Sequence, residues 1–370
     1  MLTRSNCIWC LSNNLLEYFK SDYSSPIASY MEDTCVDFET VPYNIQKCTN
    51  CNAYQIKYLA DPSSIYKKNH AYSYGSTLTD MCKEFSRFCR ESSFSKVIEI
   101  GAGNGFLADN IILSKPQLDY TIIDPCYFGN TENRKILPIF IEDYDTREST
   151  NDSVIFSHVF EHFFEPLKII EKLNAMPNLQ NVFLNMPNLE VYLQNKTFHV
   201  LNTEHTYFVE NQFLVDFFGL HGFILEKKTI FKEHSVFFHF VKSDTPIQCT
   251  LKNTNADTLI SNFFSHIDQT TNLVNTLVQY GPIYMWPCSM HSQFLLNFGI
   301  KQENIKALLD NSKEKIGHYL YGFPRPCKSL YETLILNEPS TILFNGGCFN
   351  SEIKSMINSI VCDNVKLIFI

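Results

Sequence analysis

The run from Val97 to Leu107 carries the residues best suited to hold a small charged ligand. Its apolar part ends in Glu99-x-Gly101-Ala102-Gly103-x-Gly105, and residues 106–113 follow with helical spacing. Glycine permits positive φ angles and lets a ligand approach the backbone more closely than a residue with a Cβ does. Because a strand, a glycine turn and a helix in this order open the nucleotide-binding α/β domains, we expect a ligand at this turn.

The spacing of the glycines distinguishes between such ligands. A dinucleotide fingerprint, G-x-G-x-x-G, places its third glycine three residues after the second, whereas here Gly105 follows Gly103 by two. The tighter turn suits S-adenosylmethionine, which has no pyrophosphate to place at a helix N-terminus. We expect Glu99 to orient the turn and to attract the ammonium group of this cofactor indirectly, although a buried carboxylate could also cap local amides.

Further polar residues follow the next strands of the chain. Asp124 ends a strand predicted at 119–123, Glu142 follows one at 136–141, and His158 follows one at 153–157. Ligands of such sheets bind at the carboxyl ends of the strands, so Asp124 is placed to accept hydrogen bonds from ribose hydroxyls, or to cap a helix. The expected cofactor-binding residues are Glu99, Gly101, Ala102, Gly103, Gly105, Asp124, Glu142 and His158.

A mostly parallel sheet must position these motifs. Strands are predicted at 97–100, 119–123, 136–141, 153–157 and 181–185, helices at 77–90, 105–113, 166–173 and 210–219, and a hairpin at 223–231 and 235–242. Alternating strands and helices predict an α/β fold with a central, doubly wound Rossmann-like sheet within residues 61–243.

Residues 1–60 contain two CxxC pairs, Cys7-Ile-Trp-Cys10 and Cys48-Thr-Asn-Cys51. Each pair presents two thiolates from one tight turn, and four thiolates complete the closed tetrahedral site typical of structural zinc. We therefore expect a zinc-binding module here, with short strands at 15–19 and 37–41; chance pairs or disulfides are the alternative.

The C-terminal third restarts the alternation of strands and helices. After a helical linker at 244–282, a smaller Rossmann-like α/β domain is predicted over 283–370, with strands at 283–286, 305–309, 341–344 and 365–370 and helices near 290–298, 327–336 and 350–359. Its first strand is followed by Trp286-Pro-Cys-Ser289 in place of a glycine turn, which argues against a dinucleotide. Trp286, His291 or Arg325 could still contribute to a substrate cleft, although Arg325 could equally be a surface residue.

Composition excludes several classes of protein. A net charge of −9 argues against a nucleic-acid partner, because phosphate neutralisation needs a basic surface. The chain has no long uninterrupted apolar run and does not open with a basic segment followed by an apolar one, so we expect neither a transmembrane helix nor a signal peptide. An odd count of 13 cysteines without a secretory signal predicts reduced thiols and a cytoplasmic location.

Together these motifs resemble class I S-adenosylmethionine-dependent methyltransferases. Residues 97–105, Asp124 and the segment His158-Val-Phe-Glu-His162-Phe-Phe-Glu-Pro166 are similar to motifs I, post-I and IV of that class. The four cysteines, the segment 202–208 and the C-terminal unit narrow the resemblance to the three-domain sugar C-methyltransferases. Those enzymes join a zinc domain, a methyltransferase domain and a Rossmann-like domain, and they methylate C-3 of nucleoside-diphosphate 4-keto-deoxysugars.

The resemblance implies that Glu204, His205, His162 and Tyr72 or Tyr74 line the substrate site. C-methylation beside a ketone needs a base, and His205 is the best candidate because the ordinary pKa of histidine lies near neutral. Glu204 could orient the site or bind a sugar hydroxyl, and His162 could instead hold its loop by hydrogen bonding.

The resemblance does not determine which molecule accepts the methyl group. The family often has a tyrosine where this chain has Asn202. We expect a small-molecule substrate, a nucleotide-sugar first of all. One alternative keeps methyl transfer and makes the chain an O- or N-methyltransferase that acts on a sugar or another metabolite. The other alternative is a binding or scaffold module that has the same fold but no catalytic activity.

Overall fold

The structure is a computed structural model that describes residues 1–67, 75–336, 338–345, 347 and 364–370. Tyr72 and Tyr74, and the helix expected near 350–359, lie outside the described residues.

The N-terminal module is built from antiparallel strands. These are β1 (Leu2–Thr3), β2 (Leu15–Pro26), β3 (Met31–Glu32), β4 (Thr40–Cys48), β5 (Tyr54–Ile56) and β6 (Tyr58–Leu59). Leu15 of β2 pairs with Cys48 of β4, so β4 runs directly into the second CxxC pair. The strand expected at 37–41 begins only at Thr40, because residues 33–40 are exposed and offer no face to bury.

The central unit alternates strands with helices and ends in a hairpin. Its elements are α1 (Pro62–Ile65), α2 (Ser76–Arg90), β7 (Lys96–Ile100), α3 (Phe106–Ser114), β8 (Asp119–Ile123), β9 (Lys135–Leu137), β10 (Ser153–Ser157), α4 (Pro166–Ala175), β11 (Asn181–Pro187), α5 (Leu189–Gln194), β12 (Tyr207–Phe208), α6 (Asn211–Leu220), β13 (Phe223–Phe231) and β14 (Ser235–Lys242). The strand expected at 136–141 is shorter, since Ile141–Asp143 turns into a 3₁₀-helix.

The seven strands of the central sheet follow the order β13-β14-β11-β10-β7-β8-β9. The strands β7 to β11 are parallel, and β14 runs antiparallel to β11. The chain moves outward from β7 to β9 and then returns to β10 on the other side of β7. Ligands of open α/β sheets bind at such a reversal, beyond the carboxyl ends of the strands.

Both faces of this sheet are covered, which explains why β7 reads as a near-continuous apolar run. On one face Val97 packs in a core with Ile111 of α3. On the other face Ile98 packs in a separate core with Ile169 of α4 and Phe213 of α6. The structure thus confirms the α/β class and the doubly wound central sheet.

The C-terminal third forms a second parallel sheet. Its elements are α7 (Ala256–Leu277), β15 (Ile283–Trp286), α8 (Met290–Leu296), β16 (Ile305–Asp310), β17 (Tyr319–Leu320), β18 (Lys328–Ser329), α9 (Leu330–Leu336), β19 (Ser340–Phe344) and β20 (Val365–Phe369). Five of these strands follow the order β18-β16-β15-β19-β20. None of the helices in the described ranges is long and apolar enough to cross a membrane.

Short strands and one helix join the three parts. β12 of the central unit extends the N-terminal sheet by pairing with β5, and β17 of the C-terminal third pairs with β3. The helix α7 buries Phe263 and Ile267 in a core that also holds Phe198 of the central unit and Phe294 of α8. The N-terminal module and α7 therefore fix the two parallel sheets relative to each other.

Candidate active site

A cavity of about 1240 Å³ lies at the carboxyl ends of the central strands. One wall of the cavity is formed by the turn after β7 and the loops after β8 and β10. The N-terminal module contributes Ser29 and Met31 to the lining, and the C-terminal third contributes residues from segments 286–291 and 310–315. Pockets for one drug-sized ligand measure about 300–1,000 Å³, so this cavity has room for more than one ligand.

The glycine turn presents open backbone to this cavity. Gly101, Gly103 and Gly105 have φ angles of 68°, 56° and 74°, which residues with a Cβ rarely adopt. A Cβ on Gly101 would lie 2.4 Å from Cγ2 of Val159, whereas no heavy atom of the described residues comes within 4 Å of a Cβ on Gly103. The turn is therefore packed at Gly101 and open at Gly103, where Ala102 and Gly103 line the cavity.

Asp124 holds this turn in place. One carboxylate oxygen accepts a hydrogen bond from the Gly103 N–H at 2.7 Å, and the other accepts from the Cys126 N–H at 2.7 Å. No described helix begins beside it, so the capping alternative is wrong. Each carboxylate oxygen has a second lone pair, so Asp124 can still accept hydrogen bonds from a ligand.

Glu99 lies at the base of the turn and is 1% exposed. Its carboxylate accepts a hydrogen bond from the Tyr120 hydroxyl at 2.7 Å. The pKa of Glu99 is raised to about 7, mainly by burial and with a contribution from the Asp124 charge, while the Tyr120 hydrogen bond and Arg134 oppose the shift. At neutral pH this carboxyl therefore exists in both protonation states.

Of the remaining expected cofactor residues, Glu142 and His158 line the cavity, whereas Gly105 is absent from its described walls. Glu142 lies on the 3₁₀-helix Ile141–Asp143, and burial raises the pKa of its carboxyl. His158 has a φ angle of 53°, and its Nε2 lies 2.9 Å from the Ser235 hydroxyl. Burial lowers the pKa of His158, so its ring is neutral at pH 7.

Glu204 and His205 are presented by a turn that Asn202 stabilises. The Asn202 Oδ1 accepts hydrogen bonds from the Glu204 N–H at 2.7 Å and from the His205 N–H at 3.0 Å. Ser29 of the N-terminal module donates its N–H and its hydroxyl to one oxygen of Glu204, at 3.1 and 3.3 Å. The asparagine that departs from the family pattern therefore shapes the turn.

The hydrogen bonds of the two histidines fix their tautomers. The His205 Nδ1 lies 2.8 Å from the Val200 carbonyl, and the His162 Nδ1 lies 3.0 Å from the Glu204 carbonyl. A carbonyl only accepts, so each Nδ1 carries the proton and each Nε2 carries the lone pair. Burial lowers the pKa of His205, which leaves it a neutral base at pH 7. The two ring centroids are 5.1 Å apart.

The four cysteines of the N-terminal module converge. Their sulfurs all lie within 4.8 Å of one another, and the Cys7–Cys51 and Cys10–Cys48 sulfur pairs are 3.6 Å apart. A tetrahedral ion with Zn–S bonds of about 2.3 Å holds its sulfurs about 3.8 Å apart. The cluster therefore fits such a metal ion. Trp9, which lies between Cys7 and Cys10, packs edge-on against Tyr207, so the cluster lies next to the segment that follows the Glu204–His205 turn.

Comparison with protein-family models and with curated proteins returned no match. Solved structures do match. The plantazolicin methyltransferase BpumL, in complex with a pentazolic desmethylPZN analog and SAH, has 11% identity and a TM-score of 0.36 over 45% of this chain and 85% of that chain.

Two other solved structures match at similar levels. The 1,6-didemethyltoxoflavin-N1-methyltransferase of Burkholderia thailandensis, with bound 1,6-didemethyltoxoflavin and S-adenosylhomocysteine, has 9% identity and a TM-score of 0.35 over 53% of this chain and 98% of that chain. The pyocyanin biosynthetic protein PhzM has 13% identity and a TM-score of 0.34 over 45% of this chain and 56% of that chain. All three scores are low, so the function is inferred below from the site itself.

Several residues of the site were not predicted from the sequence. Arg4 donates hydrogen bonds to the carbonyls of Phe164 at 2.6 Å and of Thr206, and so it ties together the loops that carry His162 and His205. Tyr66 lines the cavity near Glu204 and Glu161, where burial and these carboxylates raise its pKa well above the ordinary value. These contacts join residues far apart in the sequence, and no local motif signals them.

Of the three C-terminal candidates, Trp286 and His291 line the cavity. Of the two alternatives for Arg325, the cleft residue is wrong, because its guanidinium donates to the carbonyls of Gln302 at 2.8 Å and Ile305 at 2.7 Å. Arg325 is absent from the described walls of the cavity.

Proposed function

We propose that this chain is an S-adenosylmethionine-dependent methyltransferase that methylates a carbon atom of a nucleotide-activated keto-deoxysugar through an enolate, with His205 as the general base. The observation that carries the proposal is that the open glycine turn and the basic His205 line the same cavity. A methyl donor and a base for its acceptor can therefore meet in one enclosed space.

The residues around the turn suit the cofactor. Gly103 leaves room for close approach, Asp124 has lone pairs for ribose hydroxyls, and Glu99 supplies negative charge near an ammonium group. When bound, S-adenosylmethionine supplies a methyl group that is already activated on a sulfonium centre. The protein then has to position the acceptor and to move one proton.

His205 is arranged to take that proton. Its Nδ1–H donates to the Val200 carbonyl, so Nε2 is the basic nitrogen, and the Glu204 carboxylate favours the imidazolium that forms. Tyr66 remains protonated because its pKa is raised, so it can donate to an oxygen that gains negative charge. Glu204, which accepts hydrogen bonds from Ser29, would bind a sugar hydroxyl through its carboxylate.

The size and position of the cavity favour a large acceptor. From the glycine turn it extends to Trp286, His291 and Lys315 of the C-terminal third, which is more space than the cofactor needs. A nucleotide-sugar is a small-molecule substrate that suits such a cavity, with its sugar near His205 and its nucleotide toward the C-terminal third.

The cysteine cluster adds a structural zinc ion to the proposal. Cys7, Cys10, Cys48 and Cys51 would provide all four ligands, so the ion would keep no open position for a substrate. Its role would be to hold the module that carries Ser29 and Arg4 against the catalytic loops.

Exchange of the acceptor's α-proton tests the proposal. With a nucleoside-diphosphate 4-keto-6-deoxysugar and S-adenosylhomocysteine in D₂O, the wild type should introduce deuterium at C-3, detected by NMR. His205→Ala should bind the cofactor with unchanged affinity but lose exchange and most turnover, whereas His318→Ala, which alters an exposed histidine, should behave as wild type. Methyl transfer without C-3 exchange would indicate an O- or N-methyltransferase, and failure to bind the cofactor would refute both.

A further inference from the structure

Glu161, His162 and His205 form a cluster at the wall of the cavity. One carboxylate oxygen of Glu161 and one ring nitrogen of each histidine all lie within 4.8 Å of one another. We propose that this cluster is a second metal site, distinct from the four cysteines, which binds a divalent transition-metal ion such as Co²⁺ or Zn²⁺.

The state of Glu161 is the first argument. Its side chain is buried, and neither carboxylate oxygen has a hydrogen-bond partner within the part of the chain that the structure describes. The His158 Nδ1 lies 3.6 Å from one of these oxygens, but that ring is neutral at pH 7 and does not offset a negative charge. Burial raises the pKa of the Glu161 carboxyl to about 8, so without a cation it holds a proton at neutral pH. A cation bound to these oxygens would displace that proton and supply the positive charge that a buried carboxylate needs.

The orientation of the histidines is the second argument. Histidines that bind metals usually donate their other ring N–H to a carbonyl or carboxylate, which fixes the ring and makes the ligating nitrogen more basic. His162 donates Nδ1–H to the Glu204 carbonyl and His205 donates Nδ1–H to the Val200 carbonyl. Both rings therefore have the tautomer and the backbone support of metal ligands, with the lone pair on Nε2.

The ligand set indicates the kind of ion. Two neutral imidazoles and one carboxylate suit Zn²⁺, Fe²⁺, Co²⁺ and Mn²⁺ better than Ca²⁺ or Mg²⁺, which prefer oxygen ligands. Three protein ligands leave coordination positions open toward the cavity. To reach bond lengths of about 2.0–2.2 Å, the three groups need to move inward by about 1 Å or less, which side-chain rotations provide.

An ion at this site would compete with catalysis. A metal ion and a proton would use the same lone pair of His205, so the metal-loaded protein would be unable to abstract the acceptor's proton. This consequence rests on the proposed function, whereas the binding of the ion does not. Excess Zn²⁺ should therefore inhibit turnover, and a mild chelator that leaves the cysteine site loaded should restore it.

Cobalt binding to the zinc-loaded full chain tests the site. The wild type should bind about one Co²⁺ beyond the cysteine-bound ion, with d–d absorption but no thiolate charge-transfer bands, because the new ligands contain no sulfur. Glu161→Gln and His162→Gln should each weaken Co²⁺ binding by at least tenfold. His318→Gln removes an exposed histidine and should bind Co²⁺ like the wild type.

Two independent ligand variants keep the test decisive if one of them fails to fold, and the melting temperature followed by circular dichroism reports folding in each. The proposal is overturned if the wild type shows no sulfur-free Co²⁺ spectrum, or if folded Glu161→Gln or His162→Gln binds Co²⁺ as tightly as His318→Gln. Co²⁺ that binds with the expected spectrum and ligand dependence but leaves turnover unchanged would support the metal site and contradict the role of His205 as the general base. Loss of cofactor binding would count against the proposed function alone.

Discussion

Replacing Glu99 with glutamine should remove a pH dependence from cofactor binding. Burial raises the pKa of this carboxyl to about 7, and Asp124, Arg134, Asp109 and the Tyr120 hydroxyl are the groups that adjust it. A cation bound nearby favours the ionised form and lowers a carboxyl pKa by about 1–3 units. S-adenosylmethionine brings such a charge to the glycine turn, so its binding should expel a proton from Glu99.

The size of the effect follows from linkage. With a shift of about two units, from about 7 to about 5, roughly 0.8 proton leaves Glu99 on binding at pH 6 and almost none at pH 8.5. The affinity should then be about tenfold weaker at pH 6 than at pH 8.5, which corresponds to about 1.4 kcal/mol. Affinity rises with pH because only the ionised carboxyl attracts the cation.

Calorimetry measures this directly. Titrations of S-adenosylmethionine at pH 6 in two buffers of different ionisation enthalpy give the number of protons released. Glu99→Gln should release far fewer protons and bind about a hundredfold more weakly at pH 8.5, whereas the exposed Glu148→Gln should match the wild type. A pH slope that survives unchanged in Glu99→Gln would refute the role given to this carboxyl, and Asp124 or Glu142 would then be its source.

Three further predictions test residues that stabilise the walls of the site. Gly101→Ala should lower the free energy of unfolding by more than the roughly 1–2 kcal/mol of backbone strain, because its Cβ would lie 2.4 Å from the Val159 side chain. Gly103→Ala should cost the strain alone and mainly weaken cofactor binding, as measured by chemical denaturation and calorimetry; equal losses of stability in the two variants would contradict the difference in packing between Gly101 and Gly103. Arg4→Met removes the guanidinium donor of the Phe164 carbonyl and one of the two donors of the Thr206 carbonyl, which keeps its bond from the Ile56 N–H, and it should cost about 2–4 kcal/mol in urea unfolding. The exposed Arg87→Met should cost less than about 1 kcal/mol, and similar losses for both would show that Arg4 does not hold the two loops together. Cys48→Ser should lower the zinc content, measured by elemental analysis, by about one ion per chain and should lower the melting temperature, measured by calorimetry. Cys35→Ser, which changes an exposed cysteine, should alter neither quantity, and full zinc content in Cys48→Ser would exclude the four-cysteine site.

The elements of the central sheet were predictable because their signals are local. Apolar runs such as 97–100 and 119–123 end at glycine, Asp-Pro or polar residues, so each strand and the following turn can be identified from a few neighbouring residues. The strand expected at 136–141 shows the limit of this approach. Apolar residues continue to Ile141, but the pairing with β8 ends at Leu137, and only tertiary structure determines that end.

The walls of the site were less predictable because they come from distant parts of the chain. Ser29 contacts Glu204, and Arg4 contacts Thr206, across about half of the sequence. Asn202 was noticed only as a departure from the family pattern, whereas the structure shows that its side chain holds the backbone of Glu204 and His205. Arg325 shows that a basic residue alone does not identify a cleft: the sequence left both roles open, and the structure shows that its guanidinium stabilises local backbone.

A crystal structure of the full chain with S-adenosylhomocysteine tests the central claim most directly. The account predicts electron density for the cofactor product against Gly103, with ribose hydroxyls hydrogen-bonded to Asp124 and the sulfur facing the part of the cavity that His205 lines. Density for S-adenosylhomocysteine elsewhere on the protein, or an empty glycine turn at a saturating concentration, would contradict the account.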